Sequence, residues 1–355
     1  MTLPWLRSRA GRADMARHPI QMPGDVRSLL EVYSAGRAGP QSRARFTRAQ
    51  VDQIARTVRR TPEVMVKVTG GGTTVGAVSA HLAYISQKGK LPVHTDEGDR
   101  LEDREEQRWL LSRWHLELSA GQYRMAREGQ RPDRAPKLVH NIVLSMPAPT
   151  PPDKVLAAAR TFAREKFALK HSYAMVLHTH QHHPHVHLVV KAEGLDGRRL
   201  HIDKEMLRQW REDFARYMRE QGVPANATSR AMRGRNKAAK NGYMYGVHRR
   251  RDSYVLRERV IDIAKELKET GRVQDPTRAK LVEDRKVIVA SWEKIAQQLD
   301  AQGEIKLAGE VRDFAQRLPP VRTERERLAL MFVEHLRTHG RRPDPPRRQT
   351  EDLTR

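Results

Sequence analysis

A run of histidines between two apolar segments constrains this chain more than any other feature. Six of the ten residues from 178 to 187 are histidine, and an aliphatic, partly β-branched segment lies on each side. This pattern predicts two strands joined by a short polar loop, which is typical of a hairpin. In a hairpin, His185 and His187 leave the same face of their strand, and His178 lies nearly opposite His185 on that face. We therefore expect three imidazoles to converge.

Three converging imidazoles with an open side form the donor set of a catalytic divalent-metal site. Imidazole nitrogens are common ligands for such metals, and a catalytic site keeps one position free for substrate. The chain contains no cysteine, which excludes disulfides, iron–sulfur clusters and thiolate zinc sites. His178, His185 and His187 are the predicted metal ligands. The alternative is a solvated histidine-rich loop that binds metal only adventitiously.

The charge balance points to a polyanionic partner. Lys and Arg number 67 against 43 Asp and Glu, for a net charge of +24, which favours binding to nucleic acid. No run approaches the roughly 20 apolar residues that a membrane-spanning helix needs. The Arg-rich start of the chain also lacks the apolar region of a secretory signal. We therefore expect a soluble, cytoplasmic protein with no membrane span.

A long basic segment without acidic residues runs from Gln221 to Arg251. Cations that bind phosphates, interleaved with aromatic rings that stack on bases, are typical of a single-strand nucleic-acid groove. A solvated basic surface remains the alternative. The predicted DNA-contacting residues of this segment are Arg230, Arg233, Arg235, Lys237, Tyr243 and Tyr245.

The remaining hydrophobic periodicity predicts an α/β (α+β) chain with largely antiparallel strand pairing. Strands are expected at 64–68, 138–146, 172–178, 185–191 and 198–202, and helices at 74–88, 105–118, 150–167 and 203–221. A basic loop that contains Tyr123 is expected after residue 118. The pattern beyond residue 251 is helical, with a predicted buried face of Val260, Ile261, Ile263, Ala264 and Leu267.

Four segments are expected along the chain. They are a basic and poorly ordered segment at 1–60, a nuclease-like domain at 61–250, a helical region at 251–338 and a Pro/Arg-rich tail at 339–355.

Residues 81–91 read HLAYISQKGKL and complete a set of four motifs. The others are the histidine run, the strand that ends in Ser145-Met146-Pro147, and residues 228–234, which read TSRAMRG. In this order they resemble the motifs of conjugative relaxases, the single-tyrosine HUH mobilisation nucleases that include the T-DNA border nickases. The resemblance covers about residues 62–250.

The resemblance implies a fold and an activity. The fold would be a relaxase-type central antiparallel sheet that carries the metal histidines, flanked by helices, one of which presents the tyrosine. A mostly helical C-terminal region would follow. The activity would be metal-dependent nicking of one strand at the transfer origin of a plasmid or integrative element, through a 5′-phosphotyrosyl link and later rejoining.

The resemblance also implies roles for individual residues. Tyr84 would be the nucleophile, the three histidines the ligands of a divalent metal, and Ser145 a DNA contact near the scissile phosphate. The metal would be Mn²⁺ or Mg²⁺, with Zn²⁺ or Ni²⁺ as alternatives. The partners would be single-stranded origin DNA, relaxosome accessory proteins and a type IV coupling protein of the secretion system.

The chain departs from the family pattern at two positions. The family's Asp, two places after the first histidine, is His180, and its Asn, four places after the last, is Lys191. The identity of the group that assists deprotonation of the phenol therefore stays open. The candidates are His180, His81 and Lys88.

Other interpretations remain at this stage. Tyr84 could be a core residue on an amphipathic helix, with Tyr123 or Tyr173 as rival nucleophiles. The run from His183 to Val189 also fits the pattern of histidine-triad nucleotide hydrolases. A third possibility is a non-catalytic single-stranded DNA-binding component of the relaxosome.

Overall fold

The computed structural model describes residues 45–125, 136–181, 183–230, 232–234 and 254–339. Within these ranges the chain forms six strands and ten helices. In chain order they are α1 Arg48–Val58, β1 Met65–Gly70, α2 Val75–Ile85, β2 Val93–Thr95, β3 Arg100–Leu101, α3 Arg104–Arg113, α4 Leu116–Met125, β4 Val139–Ser145, α5 Pro152–Phe167, β5 Tyr173–His178, β6 His185–Lys191, α6 Lys204–Glu220, α7 Tyr254–Thr270, α8 Thr277–Ala301, α9 Ile305–Gln316 and α10 Glu324–His339. Among the described helices, none has the length and apolarity needed to cross a membrane.

The strands form one sheet in the order β1-β4-β6-β5-β2-β3. Every neighbouring pair is antiparallel, so the predicted antiparallel sheet flanked by helices is confirmed. In the β5–β6 hairpin, His178 pairs directly with His185 and Val176 with His187. A slip of one residue would turn these side chains to the opposite face.

The two faces of the sheet are covered by different helices. On one face, α5 and α6 bury an aromatic cluster that includes Phe162, Trp210 and Phe214. On the other, α2 and the two helices after β3 pack against the alternate residues of the central strands, such as Val176 and Val189. The three histidines alternate with the first set of strand residues and therefore lie on the α2 face.

The end of α2 differs from the prediction. The helix begins after Thr74, whose side chain accepts a hydrogen bond from the Ala77 N–H at 3.2 Å, but it ends at Ile85 rather than near residue 88. Gln87 and Lys88 adopt left-handed backbone angles, with φ of 52° and 62°. These angles close the helix in a left-handed cap and place Lys88 outside it.

Three other sequence predictions are wrong. The predicted helix at 105–118 is two helices broken at His115, where φ is 46°, so Tyr123 lies in α4 rather than in a loop. The predicted strand at 198–202 is only an isolated bridge between Glu193 and Arg199. β2 and β3 were not predicted. They have only three and two residues, which is too short to show an alternation of apolar and polar side chains.

A second hydrophobic core lies outside the sheet. It joins Ile54 of α1 to Trp292 and Leu299 of α8 and to Val311 of α9. Residues 1–60 are predicted to be poorly ordered, yet α1 lies within them because a Thr47–Gln50 capping box and its apolar face stabilise it. Residues 1–44 lie outside the described residues.

The predicted buried face of α7 holds only in part. Ile263 is buried, but Ile261 is 61% exposed. The predicted Pro/Arg-rich tail at 339–355 lies almost wholly outside the described residues. Its assignment as a separate segment stays a prediction.

Candidate active site

The three predicted metal ligands converge at the end of the β5–β6 hairpin. One nitrogen from each of His178, His185 and His187 lies within 4.8 Å of the others. The ring centroids are 5.1 Å apart for His178–His185, 4.5 Å for His178–His187 and 5.0 Å for His185–His187. We call these residues the histidine cluster. His178 and His185 are buried, and His187 is half-buried.

Backbone carbonyls orient two of the rings. His185 Nδ1 lies 2.9 Å from the carbonyl oxygen of His183, and His178 Nε2 lies 2.5 Å from that of Ile85. A carbonyl only accepts, so each of these nitrogens carries the hydrogen and donates it. The other nitrogen of each ring then keeps its lone pair for a metal, which is how outer hydrogen bonds fix the tautomer of a ligating histidine.

Burial favours the neutral form of two of the rings. Burial first, and then the neighbouring His178 and His185, lower the pKa of His187 to about 3. Burial also lowers the pKa of His178, against the hydrogen bond to Ile85 that raises it. Neutral imidazole is the form that binds a metal. Three imidazole nitrogens fit a divalent transition metal better than Mg²⁺, which prefers oxygen ligands.

Tyr84 lies on the last turn of α2. The carbonyl that holds His178 belongs to the next residue, Ile85. The Tyr84 side chain is 75% exposed, whereas Leu82 and Ile85 are buried against the sheet. This exposure excludes the alternative that Tyr84 fills the core.

Of the two rival tyrosines, the structure describes the side chain of Tyr173 only. Tyr173 is only 5% exposed, packs among the aromatic residues on the α5 face of the sheet, and has its pKa raised by burial. Tyr123 belongs to α4, and its side chain lies outside what the structure describes.

The three base candidates occupy different positions. His81 is half-buried one turn before Tyr84, with its ring centroid 6.5 Å from that of His187. Its Nε2 is buried and has no hydrogen-bond partner among the described residues, and burial lowers its pKa. His180 is exposed, and Gln87 Nε2 lies 3.3 Å from its Nδ1. Lys88 is exposed beyond the end of α2, rather than one helical turn after Tyr84.

Ser145 is placed inside the protein rather than at a DNA-facing surface. It pairs with His185 in the β4–β6 ladder, is 5% exposed, and donates its hydroxyl hydrogen to the Pro184 carbonyl at 3.2 Å. Its position therefore fixes the entry to β6. A direct DNA contact is the role predicted for it, but the residue is buried and its hydroxyl is bonded to the Pro184 carbonyl.

The predicted DNA-contacting residues divide into three groups. Arg230 is exposed. Arg233 is mostly buried and forms an ion pair with Glu63, with 3.5 Å between Nε and Oε1. Arg235, Lys237, Tyr243 and Tyr245 lie outside the described residues.

Sequence reasoning did not single out Glu63. Its carboxylate accepts hydrogen bonds from the Thr228 N–H at 2.7 Å, the Thr228 hydroxyl at 2.5 Å and the Asn226 amide at 3.2 Å. We call Glu63, Asn226, Thr228 and Arg233 the Glu63 network. Glu63 could not be predicted from a local sequence pattern, because its partners are more than 160 positions away in the chain.

Comparison with known proteins identifies the domain that holds this site. Residues 93–223 match the sequence model of the family described as Relaxase: MobA/VirD2-like, nuclease domain. The matched region includes the whole histidine cluster. Residues 93–223 are therefore similar to relaxase nuclease domains. The relaxase match begins nine residues after Tyr84, so the tyrosine motif lies outside it.

Three relatives named T-DNA border endonuclease VirD2 are similar to this chain. Those of Rhizobium radiobacter, Rhizobium rhizogenes and Agrobacterium fabrum (strain C58 / ATCC 33970) are 30%, 29% and 30% identical over 205, 197 and 152 residues. The alignments cover 53%, 48% and 38% of this chain and 46%, 42% and 31% of the relatives. The chain thus spans less than half the length of these proteins.

One solved chain also aligns with this protein. It comes from the structure "Molecular Basis of Vancomycin Resistance Transfer in Staphylococcus aureus", with a TM-score of 0.31 and 13% identity over 47% of this chain and 98% of that chain. A TM-score this low carries no argument about fold or function.

Proposed function

We propose that this protein nicks one strand of DNA at a transfer origin by attack of Tyr84 on a backbone phosphate, for conjugative transfer or mobilisation. The observation that supports this best is the exposed phenol of Tyr84 on a helix whose next carbonyl is hydrogen-bonded to His178 at 2.5 Å. That contact fixes the end of α2 against the histidine cluster. Nucleophile and metal site are thereby held as one unit.

The histidine cluster supplies the place where the phosphate is held. A divalent metal bound by these three nitrogens would act as a Lewis acid on a phosphate oxygen and as a template for in-line attack. The protein's own contribution is to hold three imidazoles turned towards one point. Mn²⁺ or another transition metal suits this donor set better than Mg²⁺.

The reaction is a transesterification. The Tyr84 oxygen forms a bond to phosphorus, the bond from phosphorus to the 3′ oxygen breaks, and the 3′ oxygen takes up a proton. The phosphate stays on the 5′ end as a phosphotyrosyl ester. Because one ester replaces another, attack by a 3′ hydroxyl group can rejoin a strand without another source of energy.

His81 is the best-placed partner for the phenol proton. It lies three residues before Tyr84, so the two side chains are neighbours on the helix surface. Its Nε2 is the buried nitrogen without a partner among the described residues, whereas His180 is exposed and contacts Gln87. We therefore favour His81 over His180 and Lys88.

The same proposal implies a DNA ligand, protein partners and a location for this protein. Its DNA ligand would be single-stranded origin DNA, bound in part by basic residues such as Arg230. Relaxosome accessory proteins and a type IV coupling protein would be its protein partners in the cytoplasm, and α7–α10 would offer a surface for one of them. The family match removes the support for a histidine-triad hydrolase.

A direct test uses the full chain, Mn²⁺ and a randomised single-stranded DNA library. We expect a DNA–protein adduct that survives denaturation, a DNA-linked peptide that contains Tyr84, and a free 3′ hydroxyl on the other fragment. DNA cutting without an adduct would indicate activated water as the nucleophile. Binding without any cutting would favour the non-catalytic relaxosome component.

A further inference from the structure

A cleft in the C-terminal helical region belongs neither to the sheet nor to the histidine cluster. It has a volume of about 820 Å³ and is open to solvent, and this volume lies within the roughly 300–1,000 Å³ of a typical ligand pocket. Its walls are the end of α7, the segment 272–275, the beginning of α8, the segment 320–322 and α10. We call it the arginine cleft, because its lining includes Arg272, Arg278 and Arg322.

The apolar part of the lining is aliphatic. Its members are Leu267, Val273, Val321, Ala329, Leu330 and Val333. Ala329 is buried, whereas Leu330 is 47% exposed, so part of this apolar surface is accessible to solvent. An aliphatic side chain that entered the cleft would remove that surface from water, which favours binding.

Hydrogen bonds between the walls fix the shape of the cleft before a ligand arrives. The Glu266 carboxylate of α7 accepts hydrogen bonds from the Gln274 N–H and from the Arg325 guanidinium, both at 2.7 Å. The Arg278 guanidinium donates to the Glu326 carboxylate, which joins α8 to α10. A ligand would not have to order these walls, which lowers the cost of binding.

Both acidic residues of the lining are already bound within the protein. Asp275 accepts hydrogen bonds from the Thr277 N–H at 2.9 Å and from the Thr277 hydroxyl at 2.7 Å. Glu326 accepts one from the Thr323 N–H at 2.8 Å, in addition to that from Arg278. Their charges are therefore largely compensated by donors of the walls themselves.

Arg272 offers a cation that no described residue compensates. Its side chain is exposed, and its guanidinium makes no hydrogen bond or ion pair to another described residue. Arg322 is also exposed at the cleft. A guanidinium binds a carboxylate through two parallel hydrogen bonds. The opening of the cleft therefore complements a negatively charged ligand.

The lining distinguishes between a peptide and DNA as the anionic ligand. A groove for single-stranded DNA combines cations with aromatic rings on which bases stack, and the lining of this cleft contains no aromatic residue. A DNA strand would thus leave the aliphatic surface without a partner. Aliphatic side chains next to carboxylates match both parts of the lining, and the two occur together in acidic peptides.

We propose that the arginine cleft binds an acidic segment of a protein partner, with an aliphatic side chain in the cleft and a neighbouring Asp or Glu paired with Arg272. This inference rests on the proposed function, which gives the nuclease protein partners. It names the site and the chemistry by which one of them is held.

The test begins with the full chain as bait for a phage-displayed library of random dodecapeptides. We expect the enriched peptides to carry Leu, Ile or Val next to Asp or Glu, and a selection without such peptides would contradict the proposal. A synthetic peptide with the most enriched sequence is then the probe. Fluorescence polarisation measures its affinity for wild type and for the variants below.

Two variants change the two parts of the lining separately. Arg272→Glu reverses the available cation and should weaken binding of the probe by about tenfold or more. Leu330→Gln removes apolar contact surface and should weaken it by about fivefold or more. Thermal unfolding should be unchanged in both, because both side chains are exposed. Arg108→Glu, at an exposed site on α3, makes the same charge change outside the cleft and should bind the probe as wild type does.

Changes in the probe complete the test. Replacing its acids by amides and, separately, its aliphatic residues by Ser should each lower the affinity by about tenfold. A benzophenone group at the aliphatic position should crosslink to residues within 267–278 or 320–333. Affinity that survives in both cleft variants, a probe that needs only its acids, or a crosslink elsewhere would each overturn the proposal. A single-stranded oligonucleotide that displaces the probe and crosslinks to the same segments would assign the cleft to DNA instead.

These readouts are independent of nicking. Absence of adduct formation by wild type, together with cleft-dependent binding of the probe, would reject the proposed reaction and keep the cleft. Normal adduct formation without a peptide that binds in the cleft would reject the cleft and keep the reaction.

Discussion

The histidine cluster and the Glu63 network are two buried polar groups with opposite chemistry. In the Glu63 network, a carboxylate accepts three hydrogen bonds and faces an arginine, so donors, acceptors and charges satisfy one another. In the histidine cluster, the neighbours that act on His187 are all histidines, and ring nitrogens face a shared space. Buried polar groups are normally paired. Paired charges and hydrogen bonds stabilise a fold, whereas converging nitrogen donors without a carboxylate are a set of groups that could hold a metal ion.

The two arginines of the segment 228–234 differ in their surroundings, although DNA contacts are predicted for both. Its basic residues and its resemblance to a relaxase motif predict DNA contacts for Arg230 and Arg233 alike. Only Arg230 points to solvent. Arg233 pairs with Glu63, and the Met232 carbonyl accepts a hydrogen bond from Trp292 Nε1 at 2.9 Å in the second core. This part of the motif therefore links the sheet domain to α8.

The largest expected effect is that of a substitution at Tyr84, the proposed nucleophile. Replacement of Tyr84 by Phe should lower the yield of covalent DNA adduct by at least about 10³-fold, because the attacking oxygen is removed. Folding and single-strand affinity should remain, since the side chain is exposed and phosphate contacts come from cations. Denaturing gels of the Mn²⁺ reaction measure the adduct, and native gels measure binding.

Tyr173→Phe is the matched control and should form the adduct at the wild-type level. An adduct that persists in Tyr84→Phe would transfer the nucleophile to another tyrosine, with Tyr123 as the first to examine.

Measurements of metal affinity test whether the histidine cluster binds a divalent metal. His187→Ala and His185→Ala should each weaken Mn²⁺ binding by at least about 100-fold, because a ligand is lost, while most single-strand affinity remains. Calorimetry with Mn²⁺ measures the affinity, and wild type should bind Mg²⁺ more weakly than Mn²⁺. His201→Ala, at an exposed site before α6, should bind as wild type. Unchanged affinity in both cluster variants would remove the metal assignment.

Arg233→Ala should destabilise the protein without changing how DNA binding depends on salt. Removal of one partner from a mostly buried pair leaves the Glu63 carboxylate undercompensated, which should lower the free energy of unfolding by about 1–3 kcal/mol. Urea denaturation measures this loss. A normal stability combined with a reduced salt dependence would show that Arg233 contacts DNA.

Arg230→Ala should change the salt dependence of DNA binding and leave stability nearly unchanged, which is the reverse of Arg233→Ala. This is the smallest of the expected effects. The free energy of unfolding should change by no more than about 0.5 kcal/mol, because the side chain is exposed. The slope of log affinity for single-stranded DNA against log salt should fall in magnitude by about 0.7, the value for one phosphate contact. Titrations at several salt concentrations test this, and an unchanged slope would make Arg230 part of a solvated surface.

The sequence predicted those parts of the site that depend on local geometry. Strand periodicity places His185 and His187 on one face, and the short loop of the hairpin sets His178 opposite His185, as the pairing confirms. The roles of these residues remain proposals. The break at His115 and the short edge strands could not be predicted, because backbone angles and two- or three-residue ladders are set by packing rather than by a local pattern.

The sequence by itself thus determined that three imidazoles share a face and that a tyrosine precedes them on an amphipathic helix. Tertiary structure alone decided that this helix ends at Ile85 with its carbonyl against His178, 93 residues away in the chain, and that Arg233 turns inward to Glu63. The physical reason is the range of the interactions. Side-chain direction along a strand repeats every two residues, whereas the partner of a buried carbonyl or cation depends on how distant segments pack.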